Sequence, residues 1–164
     1  MTTKLKTLVW NLQDFFIFFD KYNKEDLSTI SEAKWQLLSS SLKDQKSLDK
    51  VRSIASLIQK TDPDICMFTE VGGEESVFNL NKYFLGGIYD VIHFDSNSNR
   101  GIDLAILIKP ELKRNSKLHK EKVFARGVIE LEVSVGEKTL HFLLTHLKSK
   151  LNLSGKDFEG RSQR

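Results

Sequence analysis

The chain has 164 residues, 25 basic and 22 acidic side chains, a net charge of +3 and 40% hydrophobic residues. This is enough for one domain with a buried core, and it excludes a chain disordered throughout. The charge excess lies in the segment from Lys148 onward, where Lys148, Lys150, Lys156, Arg161 and Arg164 face only Asp157 and Glu159, and a near-neutral body is no argument for a nucleic-acid partner.

The opening MTTKLKTLVW carries two lysines, but Asn11, Gln13 and Asp14 interrupt the apolar run after it and no small-residue cleavage site follows. Neither a signal peptide nor a membrane span is expected. Leu5–Asn11 predicts a first strand, with Leu5, Thr7 and Val9 on one face and Leu8 and Trp10 on the other. The aromatic run Phe15–Phe19 is too short to cross a membrane and predicts a core-seeking loop or turn. Thr29 with Glu32 three residues later predicts a capping box, and Trp35, Leu38 and Leu42 continue at helical spacing, so a helix is expected over 31–43. Leu48, Val51, Ile54, Ala55 and Ile58 form an apolar stripe on a second helix, ended by the turn at Asp62-Pro63-Asp64.

Ile65-Cys66-Met67-Phe68 runs apolar without alternation, which predicts a strand buried on both faces or a short buried helical piece. Cys66 lies within it as the only cysteine, so no intrachain disulfide can form, and an intracellular, cytoplasmic protein fits best. The run closes on Glu70, a charge that needs water, a cation or a donor. Gly72-Gly73 lacks the Gly-x-x-x-x-Gly-Lys spacing of a phosphate loop and reads as a turn. Glu74–Phe84 predicts a third helix, with Val77, Leu80 and Phe84 on one side and Gly86-Gly87 as its stop. Tyr89–Phe94 and Ile102–Lys109 predict neighbouring strands around a polar loop. Lys109–Lys122 reads as a solvated connection, whose basic part over 113–122 either faces water or touches a polyanion. Val123–Val135 and Lys138–Thr145 predict two long strands around a hairpin turn at Gly136-Glu137. Leu151–Arg164 shows no period, and no repeat or internal boundary divides the chain, so 1–164 is expected to be a single domain.

Polar residues finish three of these strands: Asn11, Glu70 and His146. Sites gather where strand ends meet loops, and this trio suits phosphate-ester hydrolysis. A carboxylate holds a hard divalent cation, an amide orients phosphate or water, and an imidazole donates to phosphoryl oxygens. Each residue also has a plainer reading. Glu70 can be a solvated strand end, Asn11 a turn cap and His146 a satisfied structural residue. Asp103 either orients an imidazole or pairs with a neighbouring base, and Arg126 either holds phosphate or braces a loop.

Five segments in order resemble the endonuclease/exonuclease/phosphatase superfamily: Thr7–Gln13, Asp62–Val71, Arg100-Gly101-Ile102-Asp103, Phe124-Ala125-Arg126 and Thr145–Ser149. The resemblance implies an α+β fold, a two-sheet β-sandwich with outer helices, and Mg²⁺ or Mn²⁺ held chiefly by Glu70 with Asn11. It also implies His146 beside the phosphate as donor, a water attacking phosphorus, and Arg126, Asp103 and Arg100 bordering the cleft in supporting roles. The substrate it implies is a phosphate ester of a nucleic acid, phospholipid or inositol phosphate. The family's second half adds an Asp-x-Asn strand that positions the water and a terminal Asp-His pair that activates it, and the strands expected here contain neither. The chain is therefore expected to be the N-terminal portion of such a domain, inactive by itself and prone to self-association through uncovered strand faces. A non-catalytic binding or scaffold domain that keeps the fold is the alternative.

Overall fold

A strand without polar alternation must be covered on both sides, and Ile65–Val71 (β2) is so covered in the computed structural model, which describes residues 4–19, 26–27, 29–41, 44–95, 101–120 and 126–147. Before it come β1 (Thr7–Phe15), α1 (Glu32–Leu37) and α2 (Leu48–Thr61). After it come α3 (Gly73–Phe84), β3 (Asp90–His93), β4 (Asp103–Ile108), β5 (Arg114–His119), β6 (Val128–Val135) and β7 (Lys138–Thr145). One sheet has the order β1-β2-β4-β3 and the other β5-β6-β7. The helical crossover between β1 and β2 makes that pair parallel, while every other pairing is antiparallel.

Alternation along β2 and β4 divides the core in two. Cys66, Phe68, Ala105 and Leu107 face Val51, Ile54 and Ile58 of α2 and Val77 and Leu80 of α3. Ile65, Met67, Leu104, Ile106 and Ile108 face Ile129, Leu131, Val133 and Leu144 of the second sheet. The fold is thus an α+β two-sheet sandwich, with helices packed on the first sheet. Burial pushes the Cys66 thiol up to about 12, so it stays a neutral apolar filler. Among the described residues no helix is long and apolar enough to cross a membrane.

The aromatic run after β1 goes to the core, with Phe15, Phe16, Ile17 and Phe19 all buried. A buried loop must satisfy its backbone, and three side chains do so here. Ile17 N–H donates to Ser76 Oγ at 3.0 Å, Asn79 Nδ2 donates to the Ile17 carbonyl at 3.0 Å, and Phe18 N–H donates to Gln45 Oε1 at 3.1 Å. Gly72 completes the fit, because a Cβ there would lie 2.1 Å from the Phe16 ring.

Three expectations change. Helix α1 spans only Glu32–Leu37 and is capped by Ser31, whose Oγ accepts from Lys34 N–H, and not by Thr29. Glu32 reaches elsewhere: its carboxylate accepts from Gln36 Nε2 at 2.7 Å and from Leu48 N–H at 2.8 Å, which ties the start of α2 to α1. The helix stops early because Ser39 leaves it to bridge Phe19, and Leu42 and Lys43 lie outside the described residues. The connection over 109–122 contains strand β5, which charge content concealed. Backbone pairing with β6 holds it, Leu118 packs on the inter-sheet core, and Arg114 pairs with Asp90. The tail over 151–164 lies outside the described residues.

At the end of β2 remote from Glu70, Lys109 Nζ sits 3.0 Å from Asp62 Oδ1 and 3.2 Å from Asp64 Oδ1. Asp62 holds the lysine above its ordinary range, and Asp64 adds to this. Partial burial pushes the Asp64 carboxyl up, but the Lys6 backbone N–H and Lys109 outweigh it and the group ends lowered. A lowered carboxyl contributes stability above its ordinary 3.8 and loses it as pH falls through the folded value. A raised lysine contributes below its ordinary 10.5 and loses it as pH rises through the folded value. Urea midpoints of Lys109→Met are therefore expected to fall below wild type near neutral pH, with the gap closing below 3.8 and above 10.5.

Gly72→Ala tests the packing of the aromatic loop. Forcing a methyl into the Phe16 ring is expected to cost about 1–3 kcal/mol, read as a lower urea midpoint at unchanged slope.

Candidate active site

Glu70 occupies a defect that both neighbouring strands help to make. Between the pairs Asn11↔Thr69 and Phe15↔Val71 the β1 chain carries extra residues, and Glu70 is itself the extra residue opposite β4 between Thr69↔Leu104 and Val71↔Asp103. Bulges of this kind re-aim a side chain out of the regular ladder. The backbone is strained to do so, with φ of 54° at Gln13, 49° at Asp14 and 59° at Glu70, a left-handed region that side chains with a Cβ disfavour.

Hydrogen bonds within the defect offset the strain. Asn11 Oδ1 accepts from Gln13 N–H at 2.9 Å, an Asx turn that folds β1 back. Asn11 Nδ2 donates to Glu70 Oε1 at 3.2 Å, and Asp14 N–H donates to Glu70 Oε2 at 3.3 Å. Asn11 thus caps the turn and contacts Glu70 at once. From the second sheet His146, just past the end of β7, brings Nε2 to 3.4 Å from Glu70 Oε1. Both side chains are mostly covered, at 17% and 18% exposure, so the contact closes the sandwich at this edge. These contacts lie toward the long end of hydrogen bonding, and a carboxylate has about four lone-pair positions, so Glu70 keeps capacity for a cation.

The structure brings Asn11, Glu70 and His146 together. Asp103 stands opposite Val71 at the same sheet edge, and its Oδ2 lies 3.2 Å from Nε2 of His93, a buried ring. By strand alternation Asp103 shares the helix-facing side of Ala105 and Leu107, and the imidazole that it contacts there is that of His93. Arg126 Nε donates to the Ile102 carbonyl at 3.3 Å, bracing the approach to β6 against the start of β4. Thr145 Oγ1 donates to the Gly127 carbonyl at 3.3 Å beside it. Arg100, Phe124, Ala125, Lys148 and Ser149 lie outside the described residues.

Sequence reasoning missed His93 and the backbone donor at Asp14. Antiparallel pairing sets His93 opposite Ala105, which places Asp103 diagonally across from it, so a hairpin register drawn through the loop over 95–100 would have found the pair. No sequence signal marks a left-handed Asp14.

Residues 7–162 match the model of the Endonuclease/Exonuclease/phosphatase family. The chain belongs to this family. The fold is similar to that of a D. rerio TDP2 humanized by 14 mutations, at 18% identity and TM-score 0.58 over 97% of this chain and 52% of that one. It is also similar to D. rerio TDP2 complexed with single strand DNA product, at 18% identity and TM-score 0.55 over 92% of this chain and 49% of that one. Truncated Caenorhabditis elegans TDP2 matches at 24% identity and TM-score 0.45 over 60% of this chain and 39% of that one. The chain therefore spans about half or less of the length of these structures. No curated protein matches in sequence.

Backbone strain at the site can be tested directly. Gln13→Gly, which keeps the N–H bonded to Asn11, is expected to leave stability unchanged or raise it by up to about 1 kcal/mol, because relief of the left-handed strain exceeds the entropy cost of glycine. Gln13→Val is expected to lower it, and chemical denaturation of the two variants checks the sign.

Proposed function

We propose that Glu70, Asn11 and His146 form the cation- and phosphate-binding part of a metal-dependent phosphoesterase, and that this chain supplies the N-terminal portion of that hydrolase domain. The convergence of these three residues from two sheets on a strained bulge supports this reading most strongly. Glu70 offers carboxylate oxygens, hard donors that suit Mg²⁺ or Mn²⁺, while Asn11, whose Nδ2 faces Glu70 and whose Oδ1 accepts from Gln13 N–H, orients that carboxylate. Bound there, such a cation would polarise a phosphate oxygen and neutralise charge that develops in the transition state. His146, held near the same carboxylate, donates a hydrogen bond to the phosphoryl group, while Arg126 and Asp103 support the loops at the cleft edge and Arg100 follows its motif alone. The substrate is a phosphate ester of a nucleic acid, phospholipid or inositol phosphate, and the near-neutral body argues against tight duplex binding, which needs several phosphates neutralised.

A base to activate water is what these residues do not supply. The chain has no Asp-His dipeptide, and its one Asp-x-Asn spacing, Asp95-Ser96-Asn97, lies in the sequence between β3 and β4, where a polar loop is expected. His146 is committed to the Glu70 side of the site and cannot both donate there and deprotonate the attacking water. The chain alone is therefore an inactive piece, consistent with its spanning about half of its structural relatives.

Calorimetric titration with Mg²⁺ is expected to show weak binding that Glu70→Gln abolishes, and identical curves would remove Glu70 from the site. In phosphodiesterase and nuclease assays this chain is expected to stay at background, since a missing base typically forfeits a factor of about 10²–10⁴. A version carried on to the gene's stop codon is expected to turn over. Robust turnover by the chain itself, lost in His146→Ala, would overturn the proposal of inactivity and make His146 the base.

A further inference from the structure

The second sheet turns Ile129, Leu131 and Val133 of β6 inward, so strand alternation sends Glu130 and Glu132 to its outer face, away from the first sheet. The register sets His141 of β7 opposite Glu132 and His119 of β5 opposite Val128, diagonal to Glu130. Two carboxylates on one strand face would ordinarily splay apart. Here both turn to the same ring: His141 Nδ1 is 3.3 Å from Glu130 Oε1 and 3.7 Å from Glu132 Oε1. One donor atom from each of the three residues falls within 4.8 Å of the others. The second oxygen of Glu130 is held by His119, with Nε2 and Oε2 2.6 Å apart.

Two carboxylates and an imidazole at this spacing repel unless a positive charge sits among them, and their chemistry selects which one. Mixed oxygen and imidazole donors in a three-residue set suit Zn²⁺ and its transition-metal neighbours, with water completing the shell, whereas Mg²⁺ prefers oxygen alone. The contact from His119 has the form of an outer partner that fixes a ligating carboxylate. We propose that Glu130, Glu132 and His141 form a second divalent-metal site, of the zinc class, with His119 as the positioning residue for Glu130. Its ligands come from β6 and β7 and its outer partner from β5, so the ion ties all three strands of the sheet together.

Thermal unfolding in metal-free buffer tests this, with ZnCl₂ or MgCl₂ added, and calorimetry gives the stoichiometry. Zn²⁺ is expected to raise the Tm of wild type and of Glu70→Gln by several degrees with one ion per chain, since a ligand that binds only the native state stabilises it. Mg²⁺ is not expected to reproduce the shift. Glu132→Gln, nearly isosteric, and His141→Ala, at a half-exposed side chain, are expected to lose it while keeping the wild-type circular dichroism and metal-free Tm. Co²⁺ is expected to give visible d–d bands in wild type that vanish in His141→Ala. His119→Ala is expected to weaken Zn²⁺ binding about 10- to 100-fold without removing the bands. A Zn²⁺ shift that persists in His141→Ala, that disappears in Glu70→Gln, or that is absent from wild type would overturn the proposal.

Discussion

Burial of β2 and β4 on both faces is the constraint that organises this protein. Each strand sends alternate residues into two different cores, one closed by α2 and α3 and the other by the second sheet. At roughly 1.5–3 kcal/mol for each fully buried large aliphatic or aromatic side chain, the two cores together fix the register of the central strands, because a slip of one residue would exchange their faces. Polar groups are consequently driven to the strand ends. One end carries Lys109 between Asp62 and Asp64, and the other carries Glu70 with Asn11 and His146.

The two ends are built differently. The Lys109 end pairs opposite charges, with Asp62 held left-handed at φ 44° as the C-cap of α2, and serves stability. The Glu70 end leaves a carboxylate among weak donors on a backbone with three left-handed residues, Gln13, Asp14 and Glu70. Rigid sheet on one side and the aromatic loop Phe15–Phe19, locked by Ser76, Asn79 and Gln45, on the other hold this arrangement in place. The loop's packing and the site's geometry are therefore one problem, since both hang on the same turn of chain after Asn11.

The second sheet contributes to two regions of different character. Its inner face packs on the first sheet and its His146 end meets Glu70, while its outer face gathers Glu130, Glu132, His119 and His141. A strand alternates its residues between faces, so a single strand, β6, serves the inter-sheet core and the outer cluster without compromise to either.

Local pattern was sufficient for much of this. The unalternating Ile65–Phe68, the stripe from Leu48 to Ile58 and the hairpin at Gly136-Glu137 each have a periodicity or turn chemistry that only one element satisfies, and their places in the fold follow. The polar endings at Asn11, Glu70 and His146 were legible for the same reason, as charges and amides that an apolar strand cannot keep inside. Tertiary structure decided what depends on partners distant in sequence. Strand β5 exists because β6 offers it a ladder, α1 ends early because Ser39 finds Phe19, and Glu32 serves Leu48 N–H and not a capping box. The pairing of Asp103 with His93 and the left-handed turn at Asp14 likewise arise from register and bulge, which no residue pattern along the chain encodes. Sequence set which groups had to leave the core; only the packing of two sheets determined which of them meet.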